Sequence, residues 1–226
     1  MDNRKEKILN LVIESYIANA EPVGSKFLVA NADLDISEAT VRNELRALEE
    51  EGYLSHPHTS AGRIPTEKGY RHYIKSLNLA GSKISKSDSK ILSNSLVKDR
   101  NHELTLKNLA KTMVELSDET VIIAFSPEKV YYTGLANLFH KPEFDELSLV
   151  ADISEIFDNC EDSLEGFFEK VEDSPKYFFG DEHPFGEMIS VLSMRFGKEG
   201  LVAILGPQRM DYKYNFGLMK KLLELI

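Results

Sequence analysis

One cysteine, Cys160, stands in the whole chain. That excludes an internal disulfide and any multi-cysteine zinc site. No apolar run approaches the roughly 18 residues that a membrane-spanning helix needs, so no membrane partner is expected. The N-terminus opens on Asp2, Arg4, Lys5, Glu6 and Lys7, with no apolar stretch and cleavage site behind them. No signal peptide is therefore expected, and the chain is read as cytoplasmic. Also missing are a P-loop, a dinucleotide glycine pattern, a Ser/His/Asp order and an evident nucleophile–base pair. The expectation is no catalytic residue, no cofactor and no enzyme activity. A basic excess is lacking too: the net charge is −10. A general nucleic-acid coat is argued against, and any contact with DNA has to be local.

What is present supports a folded protein. The chain has 226 residues and 42% hydrophobic content, enough for one large domain or two small ones. Charge is segregated along it. From Leu54 to Lys75 the charged residues are Arg63, Glu67, Lys68, Arg71 and Lys75, four basic against one acidic, with His56, His58 and His72 beside them. The acid excess lies mostly between Asp145 and Asp173. This pattern fits one basic edge on an acidic body.

The first eighty residues read as helices followed by a hairpin. Ile8, Leu9, Leu11, Val12, Tyr16 and Ile17 recur at helical spacing over residues 4–19, and Pro22 ends that helix. Ser25 is a candidate N-cap for a short second helix from Lys26 to about Ala30. Ser37 caps a third helix running to about Glu51 and stopped by Gly52. Its core side is Val41, Leu45 and Leu48; the opposite side holds Ala39, Asn43 and Arg46, flanked by Thr40 and Arg42. Asparagine suits adenine, arginine suits guanine or phosphate, and alanine lets a backbone come close or meets a thymine methyl. The triple carboxylate Glu49–Glu51 is expected to point away from DNA. Residues 53–56 and 63–64 read as two short strands around a Pro57–Gly62 turn, and Pro65-Thr66 opens a fourth helix. A third helix followed by a wing is an arrangement that reads duplex DNA.

Each feature has a bland alternative. Arg42, Asn43 and Arg46 alone are what any solvated helix face carries; the neighbouring short helix and wing favour DNA contact. Arg63 and the hydroxyls of Thr59 and Ser60 would suit a soluble turn as well as phosphate oxygens. Ser25 is explained as a cap, whereas Lys26 is left free for phosphate. His56, His58 and His72 lack a companion thiol or carboxylate cluster, so no metal is expected. Acidic neighbours should raise the Cys160 thiol and make it a poor nucleophile. Arg209 and Asp211 are expected to bond each other or cap the last helix.

Beyond residue 79 the composition shifts to a Ser/Lys-rich linker that passes into a helix, with Leu106, Leu109, Met113 and Leu116 on one side of the segment 104–116. Strands are expected at 121–125, 130–135, 177–179, 189–196 and 201–205, and helices at 144–157, 163–171 and the C-terminus. No internal repeat is visible. The fold class expected is α+β: an N-terminal winged helix-turn-helix and a C-terminal α+β domain with a mainly antiparallel sheet.

Three segments carry a resemblance: Glu21-Pro22-Val23-Gly24-Ser25-Lys26, Ala39-Thr40-Val41-Arg42-Asn43-Glu44-Leu45, and His56-Pro57-His58-Thr59-Ser60-Ala61-Gly62-Arg63-Ile64-Pro65-Thr66. With Leu135–Phe139, Pro142–Phe144 and Gly206–Tyr212, they resemble the HrcA family of bacterial heat-inducible transcription repressors. The resemblance implies a homodimer that binds an inverted-repeat operator, CIRCE, in double-stranded DNA upstream of chaperone operons, with a GroEL-type chaperonin sustaining its activity. It also implies a winged-helix domain and a GAF-like domain with a dimerisation domain inserted in it. Only about ninety residues follow the strand before Pro142, so the full insertion is not expected here. The expected organisation is 1–79 winged helix, 80–104 linker or connecting helix, and 105–226 a GAF-like regulatory and dimerisation domain. The expected DNA-binding residues are Ser25, Lys26, Ser37, Ala39, Thr40, Arg42, Asn43, Arg46, His58, Thr59, Ser60 and Arg63. The alternative is a regulator that senses a small molecule in the GAF-like half, which would need a deep apolar pocket.

Overall fold

A computed structural model describes residues 1–31, 36–57, 62–96, 102–126, 128–197 and 200–226. The chain divides into two compact units, Met1–Asn78 and Leu79–Ile226.

The first unit holds α1 (Asn3–Asn19), α2 (Ser25–Asn31), α3 (Glu38–Glu50), β1 (Leu54–Ser55), β2 (Ile64–Pro65) and α4 (Glu67–Ser76). Asp2 caps α1 by accepting from the Lys5 N–H at 2.9 Å. The apolar rows of four elements meet: Ile8, Leu9, Val12 and Ile13 of α1, Leu28 of α2, Val41, Leu45 and Leu48 of α3, and Tyr70 and Tyr73 of α4 are all buried. The strands pair antiparallel, Leu54 with Pro65 and Ser55 with Ile64. The hairpin is thus one residue later on its second side than the sequence suggests, because Arg63 bridges Val23 instead. Thr66 caps α4 by accepting from the Gly69 N–H at 3.2 Å.

In the second unit a five-stranded sheet runs β4-β3-β7-β6-β5, every pair antiparallel. Its strands are β3 (Thr120–Ser126), β4 (Lys129–Thr133), β5 (Lys176–Phe179), β6 (Ile189–Phe196) and β7 (Gly200–Pro207). The helices are α5 (Lys86–Ser95), α6 (His102–Ser117), α7 (Leu135–Phe139), α8 (Leu147–Asp158), α9 (Cys160–Phe168) and α10 (Tyr212–Leu225). The unbroken apolar run of β3 follows from burial on both sides. Val121 and Ile123 pack with Leu92, Met113, Leu218 and Leu222 of α5, α6 and α10. Ile122 and Ala124 pack with Ile153, Phe157, Leu164 and Phe167 of α8 and α9. The protein is therefore α+β, a winged helix and an antiparallel sheet covered on both faces.

Several local expectations need correction. The Ser/Lys-rich stretch after residue 79 contains α5, capped by Ser85 and anchored by the fully buried Leu92. The helix expected from residue 144 begins at Leu147, after a single 3-10 turn at Pro142–Phe144. The next runs Cys160–Phe168. Asp211 caps α10 by accepting from the Tyr214 N–H at 2.9 Å, but Arg209 pairs with Glu143 and not with Asp211. Two segments that carry the resemblance, 142–144 and 206–212, are thereby joined. Cys160 is buried, and burial with the Glu161 charge pushes its thiol up to about 12.

Candidate nucleic-acid interface

The third helix is built as a two-sided rod. Ser37 accepts from the Thr40 N–H at 3.2 Å and its hydroxyl lies 3.0 Å from Thr40 Oγ1, fixing the first turn. At the other end Gly52 takes φ +78°, with its N–H on the Glu49 carbonyl and the Tyr53 N–H on the Leu48 carbonyl, both at 2.9 Å. That double bond is a Schellman stop, which only a residue at ease in the left-handed region forms without strain. Between these ends Val41, Leu45 and Leu48 are buried, while Ala39, Arg42, Asn43 and Arg46 are exposed. Thr40 is half-buried and Ser37 exposed. The structure thus gathers four of the expected residues, Ala39, Arg42, Asn43 and Arg46, along one side of α3, with Thr40 at its edge and Ser37 capping the helix.

The arginines on this side are not bare. Arg42 Nη2 meets Glu38 Oε1 at 2.6 Å, and Arg46 Nε meets Glu50 Oε1 at 3.0 Å. Both are i,i+4 pairs on open surface, each worth about 0.3–0.5 kcal/mol. They hold the guanidinium groups along the helix without removing them from solvent; the Arg42 and Arg46 side chains are 67% and 77% exposed.

Ser25 is the first residue of α2 and donates its hydroxyl to Glu38 Oε1 at 3.2 Å. This corrects its expected role as N-cap: the side chain points across to α3 and not back over its own helix. Lys26 is exposed beside it. Val23, Gly24, Ser25, Lys26, Glu38, Arg42, Leu45, Gly62 and Arg63 surround a groove of about 370 Å³. Two arginines and a lysine on its rim suit it to an anion such as a phosphate oxygen.

Arg63 is held firmly. Its backbone exchanges hydrogen bonds with Val23 at 2.9 and 2.8 Å, and its Nη2 meets Glu49 Oε2 at 2.7 Å. The preceding Gly62 lies against the Pro22–Val23 backbone, where an added Cβ would come within 2.6 Å of the Val23 carbonyl carbon. His56 Nδ1 engages the other oxygen of Glu49. Glu49 therefore turns toward the hairpin. His58, Thr59 and Ser60 lie outside the described residues. Among the described residues no group of three or more His, Cys, Asp and Glu side chains is arranged to hold a metal ion.

Sequence reasoning gave Glu38 no role and did not pair Glu49 with Arg63 or His56. The first was accessible from its i,i+4 spacing to Arg42. The second pairs across the hairpin, and no local pattern signals that.

The comparisons with known proteins bear on both units. The family model described as the HrcA protein C-terminal domain matches residues 68–214. The model described as the ribonuclease R winged-helix domain matches residues 6–72. A heat-inducible transcription repressor HrcA of Bifidobacterium adolescentis is 40% identical over 122 residues, 54% of this chain and 32% of that protein. Its counterpart from Symbiobacterium thermophilum is 36% identical over 151 residues, 66% of this chain and 41% of that protein. The matched portions thus span well under half the length of these relatives. A crystal structure of a hypothetical protein at 2.2 Å resolution superposes with a TM-score of 0.82 at 18% identity, over 99% of this chain and 97% of that one, a likeness of fold.

Proposed function

The chain belongs to the HrcA family, and from that premise we propose that it is a sequence-specific DNA-binding transcriptional repressor of heat-shock operons. Its target is a CIRCE-type inverted repeat, bound as a homodimer in the bacterial cytoplasm. One observation carries this reading: the capped α3 presents Ala39, Arg42, Asn43 and Arg46 to solvent directly opposite its buried row. Such a face fits a major groove, and two copies related by a dyad read the two half-sites.

Repression works by occlusion. Arg42 and Asn43 address base edges, while Lys26, Arg46 and the wing residues His58, Thr59, Ser60 and Arg63 address phosphates. The second unit, read as GAF-like and regulatory, sets the spacing between the two readers. Heat, or loss of support by a GroEL-type chaperonin, disturbs that spacing and lifts repression. The sensor alternative calls for a deep apolar pocket. Among the described residues both faces of the sheet are filled by packed side chains, which counts against it.

The test is a gel-shift series with a duplex carrying the inverted repeat, a half-site duplex and a random duplex of equal length. Tight binding to the full repeat, weaker to the half-site and weakest to random sequence is expected. Equal binding to all three would overturn the proposal.

A further inference from the structure

Glu49 sits on the last turn of α3, between the buried and exposed rows, and its side chain is 22% exposed. A carboxylate there faces the negative end of the helix macrodipole, which is mildly unfavourable for the helix itself. Its compensation is tertiary. Oε2 accepts from Arg63 Nη2 at 2.7 Å, and Oε1 engages His56 Nδ1. His56 directly follows β1 and Arg63 directly precedes β2. Both roots of the wing therefore close on one carboxylate of the recognition helix.

Arg63 extends the junction to a third segment through its backbone pair with Val23. Its side chain is 24% exposed, far more enclosed than those of Arg42 and Arg46. A pair so enclosed is less screened by salt than the open pairs along the helix and holds a narrower geometry. The Arg63 guanidinium is thus oriented by Glu49 before any ligand arrives.

We infer that Glu49 is a positioning residue for DNA recognition, fixing the wing relative to α3 by gripping His56 and Arg63 without itself touching DNA. This rests on the reading given under Proposed function. The electrostatic and positional effects of removing the carboxylate have opposite signs. Deleting a negative charge beside a phosphate surface strengthens binding to any duplex. Loosening the wing weakens binding only where the fit matters, on the operator.

The experiment uses the full chain as wild type, Glu49→Gln and Glu49→Asp. Binding to a CIRCE duplex and to a random duplex is measured by fluorescence anisotropy at two salt concentrations, with a circular-dichroism melt of each variant. Glu49→Gln should lose about tenfold on the operator and lose nothing, or gain up to about threefold, on random duplex. Glu49→Asp should retain operator preference to within about threefold. Operator preference unchanged in Glu49→Gln, or both affinities rising together, would overturn the inference while leaving the repressor reading standing. A wild-type protein without operator preference would overturn that reading and this inference with it. Should Glu49→Gln melt below the assay temperature, His56→Gln probes the junction from its other side. Loss of operator preference in His56→Gln supports the inference, and retention overturns it.

Discussion

Glu38 and Arg42 stand one turn apart on α3 and form a 2.6 Å ion pair, and the same carboxylate oxygen accepts the Ser25 hydroxyl at 3.2 Å. Arg42 is thus already engaged, and under the proposed function a phosphate or base edge would have to compete with Glu38 for it. Replacing Glu38 by Gln should raise affinity for operator and random duplex alike, by roughly two- to fivefold at low salt. Anisotropy titrations at two ionic strengths check this; an unchanged random-duplex affinity would show that Glu38 is no competitor.

Arg42→Ala and Asn43→Ala should each weaken operator binding by about 1–3 kcal/mol, with a much smaller effect on random duplex. Arg46→Ala should lower both and reduce the salt slope by about one. Equal losses on both duplexes for all three variants would mean that base and phosphate roles are assigned wrongly.

Gly62→Ala should be disruptive out of proportion to its size. The new methyl would meet backbone of Pro22 and Val23, which cannot swing aside as a side chain does. A destabilisation of about 1–3 kcal/mol is expected, read as a lower melting temperature. Gly24→Ala is the control, since an added Cβ there meets nothing within 4 Å.

Glu119 gives the second unit a pH dependence. It is 4% exposed, its Oε2 has no hydrogen-bond partner, and burial pushes its carboxyl up to about 8 despite Lys141 at 3.8 Å. A carboxyl raised in the fold is neutral there and ionised in the unfolded chain. Its stabilising contribution is complete below the ordinary value of 4.5 and is lost as pH rises toward about 8. Glu119→Gln, which cannot ionise, should therefore match wild type near pH 4.5 and melt higher near pH 8. The gain should be on the order of 1–3 kcal/mol. Parallel melting curves at both pH values would sink this account.

The parts of the fold legible in the sequence are those with a strong local cause. Ser37, the Val41–Leu45–Leu48 row and Gly52 announce α3 from cap to stop because each acts within one turn. The apolar run at 121–125 announces a buried strand for the same reason. Helix α5 hides because a single fully buried residue, Leu92, anchors a sequence otherwise made of Ser, Lys, Asn and Asp. Helix α7 is only Leu135–Phe139, too short for a period to show. At the candidate site the exposed row was readable, and so was the i,i+4 spacing of its arginines to Glu38 and Glu50, but the contacts between segments were not. Ser25 reaching Glu38, and Glu49 reaching Arg63, are relations between segments that meet only once the core has formed.

The strand order β4-β3-β7-β6-β5 has a consequence for folding. Among the described strands, the one that fills the middle of the sheet, β7, is also the last in chain order. In the folded sheet β3 pairs with β4 along one edge and with β7 along the other, so its second edge is covered only when residues 200–207 are in place. That pairing joins residues 79 positions apart, such as Ile123 and Val202, and long-range strand pairing of this kind is intrinsically slow to form. The central seam of the second unit thus rests on a pairing between distant parts of the chain, and the sheet is whole only when that pairing is made.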